Sequence, residues 1–158
     1  MTRILIADGS EIVRKLLKLL IESHEDWSVC AEAVNGAEAV RKAQELKPDA
    51  VILDLAMDGL NGLLAAREIS GFLPSVPILL HTVNNIPAVV AEAKKFGIRR
   101  VVGKGQDGDF LIEAIEEELD ARPQGVAALL EETAPKGKSM VEPEAAGSDG
   151  NEGISKPN

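Results

Sequence analysis

The chain contains no tyrosine, a single tryptophan, three phenylalanines and one cysteine. A lone Cys30 cannot close an intramolecular disulfide, and inside the apolar run 27–33 it reads as a small core side chain. Cations are also in short supply, with 17 Lys and Arg against 26 Asp and Glu and a net charge of −9. That balance argues against non-specific binding to nucleic acid or to an anionic membrane surface, since both need clustered cations. It suits a metal cation or a basic protein face instead. No charged n-region followed by an apolar h-region opens the chain. The most apolar early stretch, IVRKLLKLLI, is interrupted by Arg14, Lys15 and Lys18, so no membrane insertion is expected. A cytoplasmic protein follows from these exclusions.

What is present is 158 residues, 45% of them hydrophobic, enough for one ordinary core. Short apolar runs alternate with amphipathic stretches. Strands are expected at 3–8, 27–33, 50–55, 76–82 and 100–103, and helices near 10–23, 36–47, 60–71, 86–96 and 107–121. Asn35-Gly36 opens the second helix and Pro48 follows it; Gly97 follows the fourth, and Asp107 caps the fifth. Five strands alternating with five helices predict an α/β fold, a doubly wound parallel sheet with right-handed crossovers and helices on both faces. The Leu and Ile stripe of residues 12–21 is expected to be core. Trp27 is expected to pack under the first helix, and His24 to favour the helix dipole and solvent.

From Pro123 the composition changes: the last 36 residues hold four of the eight prolines, five of the fourteen glycines and no aromatic residue. One domain over 1–122 and a Pro/Gly/Glu-rich tail over 123–158 are the expected organisation, the tail mostly disordered apart from helical turns at 126–132.

In doubly wound sheets ligands collect beyond the carboxyl ends of the strands. Reading those ends gives Asp8 ending the first strand, Asp54 near the end of the third, Thr82 ending the fourth and Lys104 directly after the fifth. Two acids, a hydroxyl and an ammonium form a phosphoryl-binding set: one carboxylate is the nucleophile, carboxylates hold a divalent cation, and hydroxyl and ammonium take up phosphate charge. His81 precedes Thr82 on a strand, points to the opposite face, and reads as a packed histidine rather than a catalytic one.

The segments ILIADGSEIVR, VILDLAMDGLNG, PILLHT and VVGK, with intervals of 46, 28 and 22 residues from Asp8 through Asp54 and Thr82 to Lys104, resemble a response regulator receiver domain of two-component signalling. The resemblance spans roughly residues 1–121 and is closest in kind to a stand-alone chemotaxis regulator. It implies a flavodoxin-like five-stranded sheet of order 2-1-3-4-5. It also implies Asp54 as phosphoacceptor, Thr82 as the hydroxyl that closes on the phosphoryl group, Lys104 as its counter-ion, and a Mg²⁺ site made by Asp8, Asp54 and the Ala56 carbonyl. The side chains of Ala56 and Asn84 would tune loss of the phosphoryl group to water. The implied partners are a sensor histidine kinase or phosphotransfer protein and an output protein. After residue 122 no basic recognition helix follows, so DNA is not an expected partner.

The sequence departs from that pattern at four positions. Gly9 stands where receivers carry a second metal-binding acid; it reads as a strand-to-helix turn residue, with Glu11 assigned to the first helical turn. Asp58 and Gly105 each occupy a usual proline position, and Val101 replaces the aromatic expected three residues before the lysine. These departures frame the rival expectation, an unphosphorylated pseudo-receiver acting as a constitutive adaptor. An Asp54/Asp58 phosphohydrolase is the weaker rival, because that chemistry places its second acid two residues after the first, where Ala56 stands. No turnover of a separate substrate is expected.

Overall fold

The computed structural model describes residues 1–121, so the expectations for 123–158 lie outside the described residues. Chain order is β1 (Thr2–Ala7), α1 (Glu11–Glu22), β2 (Trp27–Ala33), α2 (Gly36–Leu46), β3 (Ala50–Leu53), α3 (Gly62–Phe72), β4 (Ile78–Thr82), α4 (Pro87–Lys95), β5 (Arg100–Gly103) and α5 (Gly108–Ala121). The strands form one parallel sheet in the order β2-β1-β3-β4-β5. Strand alternation divides the apolar residues between two faces. Leu5, Ala7, Leu53 and Leu80 face α2, α3 and α4, which meet the sheet largely through alanines such as Ala39, Ala43, Ala65 and Ala93. Ile4, Ile6, Ile52 and Leu79 face α1 and α5, where Leu17, Ile21, Leu111 and Ile115 complete a bulkier layer.

Helix starts are set by local polar groups. Ser10, Asn35 and Asn61 accept hydrogen bonds from the backbone N–H groups of Val13, Glu38 and Leu64, each serving a donor that the helix leaves orphaned. α4 instead begins with Pro87, which has no N–H to satisfy. Asp107 accepts from the Asp109 N–H at 3.2 Å at the entry to α5. Gly97, at φ +90, turns the chain out of α4 in a conformation suited to glycine.

Three expectations are corrected. The stripe 12–21 is core only in part: Leu17 and Ile21 are buried and Val13 and Leu20 pack against them, but Ile12, Leu16 and Leu19 are exposed. Seven apolar residues in a twelve-residue helix cover more than one face, and only the face on the sheet is buried. His24 is only partly exposed and has partners of its own. The turn after α1 stacks its ring on Trp27, 3.9 Å between centroids and 12° from parallel, with Nε2 3.2 Å from Glu116 of α5. Trp27 itself is buried in the α1/α5 layer, as expected. Finally, β1 and β3 end one residue before Asp8 and Asp54, which places both acids in the loops at the strand mouths.

Candidate functional site

Asp8 is held at the mouth of β1 by three bonds. Its N–H donates to the Ala33 carbonyl at 3.0 Å, its Oδ1 accepts from the Ser10 N–H at 2.8 Å, and its carbonyl accepts from Arg14 Nη1 at 2.8 Å. Asp54 continues the ladder by donating its N–H to the Ala7 carbonyl at 2.9 Å, so the two acids leave neighbouring strands side by side. Lys104 donates its backbone N–H to the Thr82 carbonyl at 2.8 Å. Its Nζ reaches across the edge to Asp8 Oδ2 at 2.7 Å and Asp54 Oδ2 at 3.3 Å. Thr82 ends β4 between them, buried, with Oγ1 accepting from the Asn84 N–H at 3.2 Å. Its hydroxyl proton therefore remains available to donate.

Two buried carboxylates share one ammonium, a set with one negative charge in excess. Burial pushes the Asp54 carboxyl above its ordinary range, the Asp8 charge adds to this, and Lys104 pulls the other way. Burial works against the Lys104 charge, but the bond to Asp8 and the fields of Asp54 and Asp8 outweigh it and raise that group. His81 lies on the opposite face, where burial and then the Lys104 charge hold its pKa down to about 4, leaving it neutral at pH 7.

The donor set suits magnesium. Asp8 Oδ2 is buried and is served by no N–H or O–H group other than the ammonium, while Asp54 adds a second hard oxygen. Mg²⁺ is commonly held through one or two carboxylates with water and phosphate oxygens completing its octahedron. No group of three or more His, Cys, Asp or Glu placed to hold a metal exists among the described residues, so the protein's share would be small. Ala56 follows two residues after Asp54, and its backbone N–H lowers the Asp54 carboxyl against the effect of burial.

Other expected residues stay apart from this cluster. Glu11 pairs with Lys15 at 3.4 Å on the exposed side of α1, and Asp58 is exposed. Gly9 lies in the bend from β1 to α1, as read, but without the left-handed backbone that would demand glycine; a Cβ there meets only the Val34 carbonyl, at 3.8 Å. Two contributors went unread in the sequence. Arg14, which pairs with Glu32 at 3.0 Å, clamps the Asp8 carbonyl, and Gln106 bonds to Gly103. Neither belongs to a pattern that spacing reveals.

A family model for the response regulator receiver domain matches residues 4–116. The chain is 34% identical over 116 residues to chemotaxis protein CheY of Listeria monocytogenes, a match covering 73% of this chain and 97% of that protein. It is 37% identical over 115 residues to transcriptional regulatory protein LnrK of Bacillus subtilis, which takes in 73% of this chain and about half, 52%, of that regulator. The response regulator domain of Thermotoga maritima CheB superposes with a TM-score of 0.73 at 30% identity, over 78% of this chain and 99% of that one. The CheY in a CheX-CheY-BeF₃-Mg²⁺ complex from Borrelia burgdorferi shares the fold, with a TM-score of 0.70 at 22% identity over 73% of this chain and 87% of that one.

Proposed function

The chain belongs to the response regulator receiver family of two-component signalling, and from that premise we propose that it accepts a phosphoryl group on Asp54 and signals through protein contacts. The observation that carries this reading is Lys104 Nζ set between Asp8 Oδ2 and Asp54 Oδ2 at the carboxyl edge. In the proposed reaction an Asp54 carboxylate oxygen attacks phosphorus in line. A P–O bond forms as the P–N bond to a phosphohistidine breaks, and the imidazole leaves with the electron pair. Lys104 follows the charge onto the phosphoryl oxygens, and Thr82, with its proton free, donates to one of them. Asp8, Asp54 and the Ala56 carbonyl would hold Mg²⁺, which neutralises phosphoryl charge when bound. As the family resemblance implies, the side chains of Asn84 and Ala56 would set how readily water removes the phosphoryl group.

The donor would be a sensor histidine kinase or a phosphotransfer protein in the cytoplasm, and the output an unidentified protein. Ile12, Leu16 and Leu19 offer an apolar stripe on α1, which starts at the site's edge, for such contacts. Among the described residues no helix is long and apolar enough to cross a membrane.

The test is intact mass after incubation with acetyl phosphate, with and without magnesium, beside Asp54→Asn. Magnesium-dependent gain of one phosphoryl group that the variant lacks is the expected result. If no gain occurs and beryllium fluoride leaves the Thr82 and Lys104 resonances unmoved, the two-carboxylate site favours the other reading, a constitutive adaptor that keeps the fold without the chemistry.

A further inference from the structure

Lys104 lies in a turn that its own neighbours do little to stiffen. Gly105, which follows it, has no side chain, and a Cβ there would meet nothing within 4 Å. The turn is nevertheless closed at both ends. On the strand side the Lys104 N–H is bonded to Thr82 of β4. Because successive N–H groups of a strand point in opposite directions, the Gly103 N–H is turned away from β4 toward the free edge of the sheet. Gly103 is buried, so that donor needs a protein partner.

Gln106 supplies it. Its Oε1 accepts from the Gly103 N–H at 2.8 Å, while its own N–H donates to the Gly103 carbonyl at 3.1 Å. Both polar groups of Gly103 are thus bound to one residue three positions on, and Lys104 is carried on the arc between them. A Cβ at Gly103 would stand 2.7 Å from the Asn85 side-chain nitrogen and 3.3 Å from Gln106 Oε1, so a larger residue here would press on both side chains, the latch included.

We infer that Gln106 is the positioning residue of the site: its side-chain oxygen closes the 103–106 turn and thereby holds Lys104 on the two carboxylates. The catalytic consequence rests on the proposed role of Lys104 as counter-ion; the positional one does not. An amide is suited to this task because it accepts the Gly103 hydrogen bond without adding a charge beside the ammonium.

The test is Gln106→Met in the full chain, which keeps length and removes the acceptor. Hydrogen exchange at the Gly103 amide should speed roughly tenfold, the factor carried by an ordinary hydrogen bond. The ¹⁵N resonance of Lys104 Nζ should broaden as the ammonium leaves the carboxylates, and the rate of phosphorylation by acetyl phosphate should fall by a similar factor. Gly105→Ala, a change in the same loop into open space, should leave all three unchanged. Gln106→Glu, which retains an acceptor oxygen, should retain Gly103 protection. If Gln106→Met lowers stability but leaves the Lys104 resonance as it was, or if Gly105→Ala matches its effects, the positioning role is wrong. Should the unmodified protein take up no phosphoryl group, the proposed function fails, and the Gly103 and Lys104 measurements still decide the role of Gln106.

Discussion

Asp54 leaves β3 into a loop that glycine makes sterically feasible, whereas Asp8 leaves β1 into a loop where glycine serves no conformational need. In the first, Gly59 sits at φ +70, and a Cβ on Gly62 would lie 2.2 Å from the Asp54 carbonyl oxygen. Gly36 of α2 meets the same loop, with its Cβ position 2.0 Å from the Leu60 carbonyl oxygen. In the second, Gly9 has an ordinary backbone and room for a Cβ, and the loop's shape comes from Asp8 accepting the Ser10 N–H and from Arg14 clamping the Asp8 carbonyl. Two glycines beside two site acids therefore mean different things. Gly62 is dictated by packing, and Gly9 is a chemical choice, a position where a third carboxylate would fit and none stands.

The largest expected effect breaks the first loop. Gly62→Ala has to displace backbone rather than a flexible side chain, so it should cost about 3 kcal/mol, the upper end of ordinary overpacking. Urea unfolding reads this as a lower midpoint at unchanged slope. A loss below about 1 kcal/mol would mean that the loop yields, and the contrast between the two loops would collapse.

Gly9→Asp sharpens the other side. A carboxylate beside Asp8 and Asp54 should raise magnesium affinity by about tenfold, equivalent to about 1.4 kcal/mol, and speed phosphorylation. Without metal it should do the reverse to stability, lowering it by about 1 kcal/mol through like-charge repulsion, because the site already has two acids for one ammonium. Thermal unfolding across a magnesium titration tests both at once: the variant should start below the unmodified protein and cross above it as metal is added. Parallel curves would show that residue 9 does not face the metal position.

How far the sequence foretold this arrangement depended on the range over which each signal acts. Runs such as 51–53 and 78–80 are apolar without alternation, which only strands covered on both faces require, so the sheet and its parallel sense were legible. The site was legible for the same reason: Asp8, Asp54, Thr82 and Lys104 each follow an apolar run, and a doubly wound topology sends all such ends to one edge. What escaped was anything decided by a side chain folding back on backbone. Gln106 on Gly103 and Arg14 on the Asp8 carbonyl are single bonds between groups every sequence contains, with no period to expose them. The exposure of Ile12, Leu16 and Leu19 escaped for a different reason, since a helix with two adjacent apolar stripes does not say which one meets the sheet. The stacking of His24 on Trp27 depends on how a four-residue turn closes, and composition carries no trace of it.

The smallest expected effect is also the control on which the comparison rests. Gly9→Ala adds a methyl group at ordinary contact distance from the Val34 carbonyl, on a backbone that is not left-handed, so the folded state loses nothing, and the unfolded chain loses conformational freedom. The net result should be no change or a gain of roughly 0.4–1 kcal/mol, with magnesium affinity equal to that of the unmodified protein. Alanine supplies the Cβ of Gly9→Asp without its charge, so any metal effect of the aspartate beyond that of alanine belongs to the carboxylate. A destabilisation above about 1 kcal/mol would instead show that the turn at residue 9 needs glycine after all. In that event the missing acid would be a consequence of backbone geometry, as at Gly62, and the two loops would be alike.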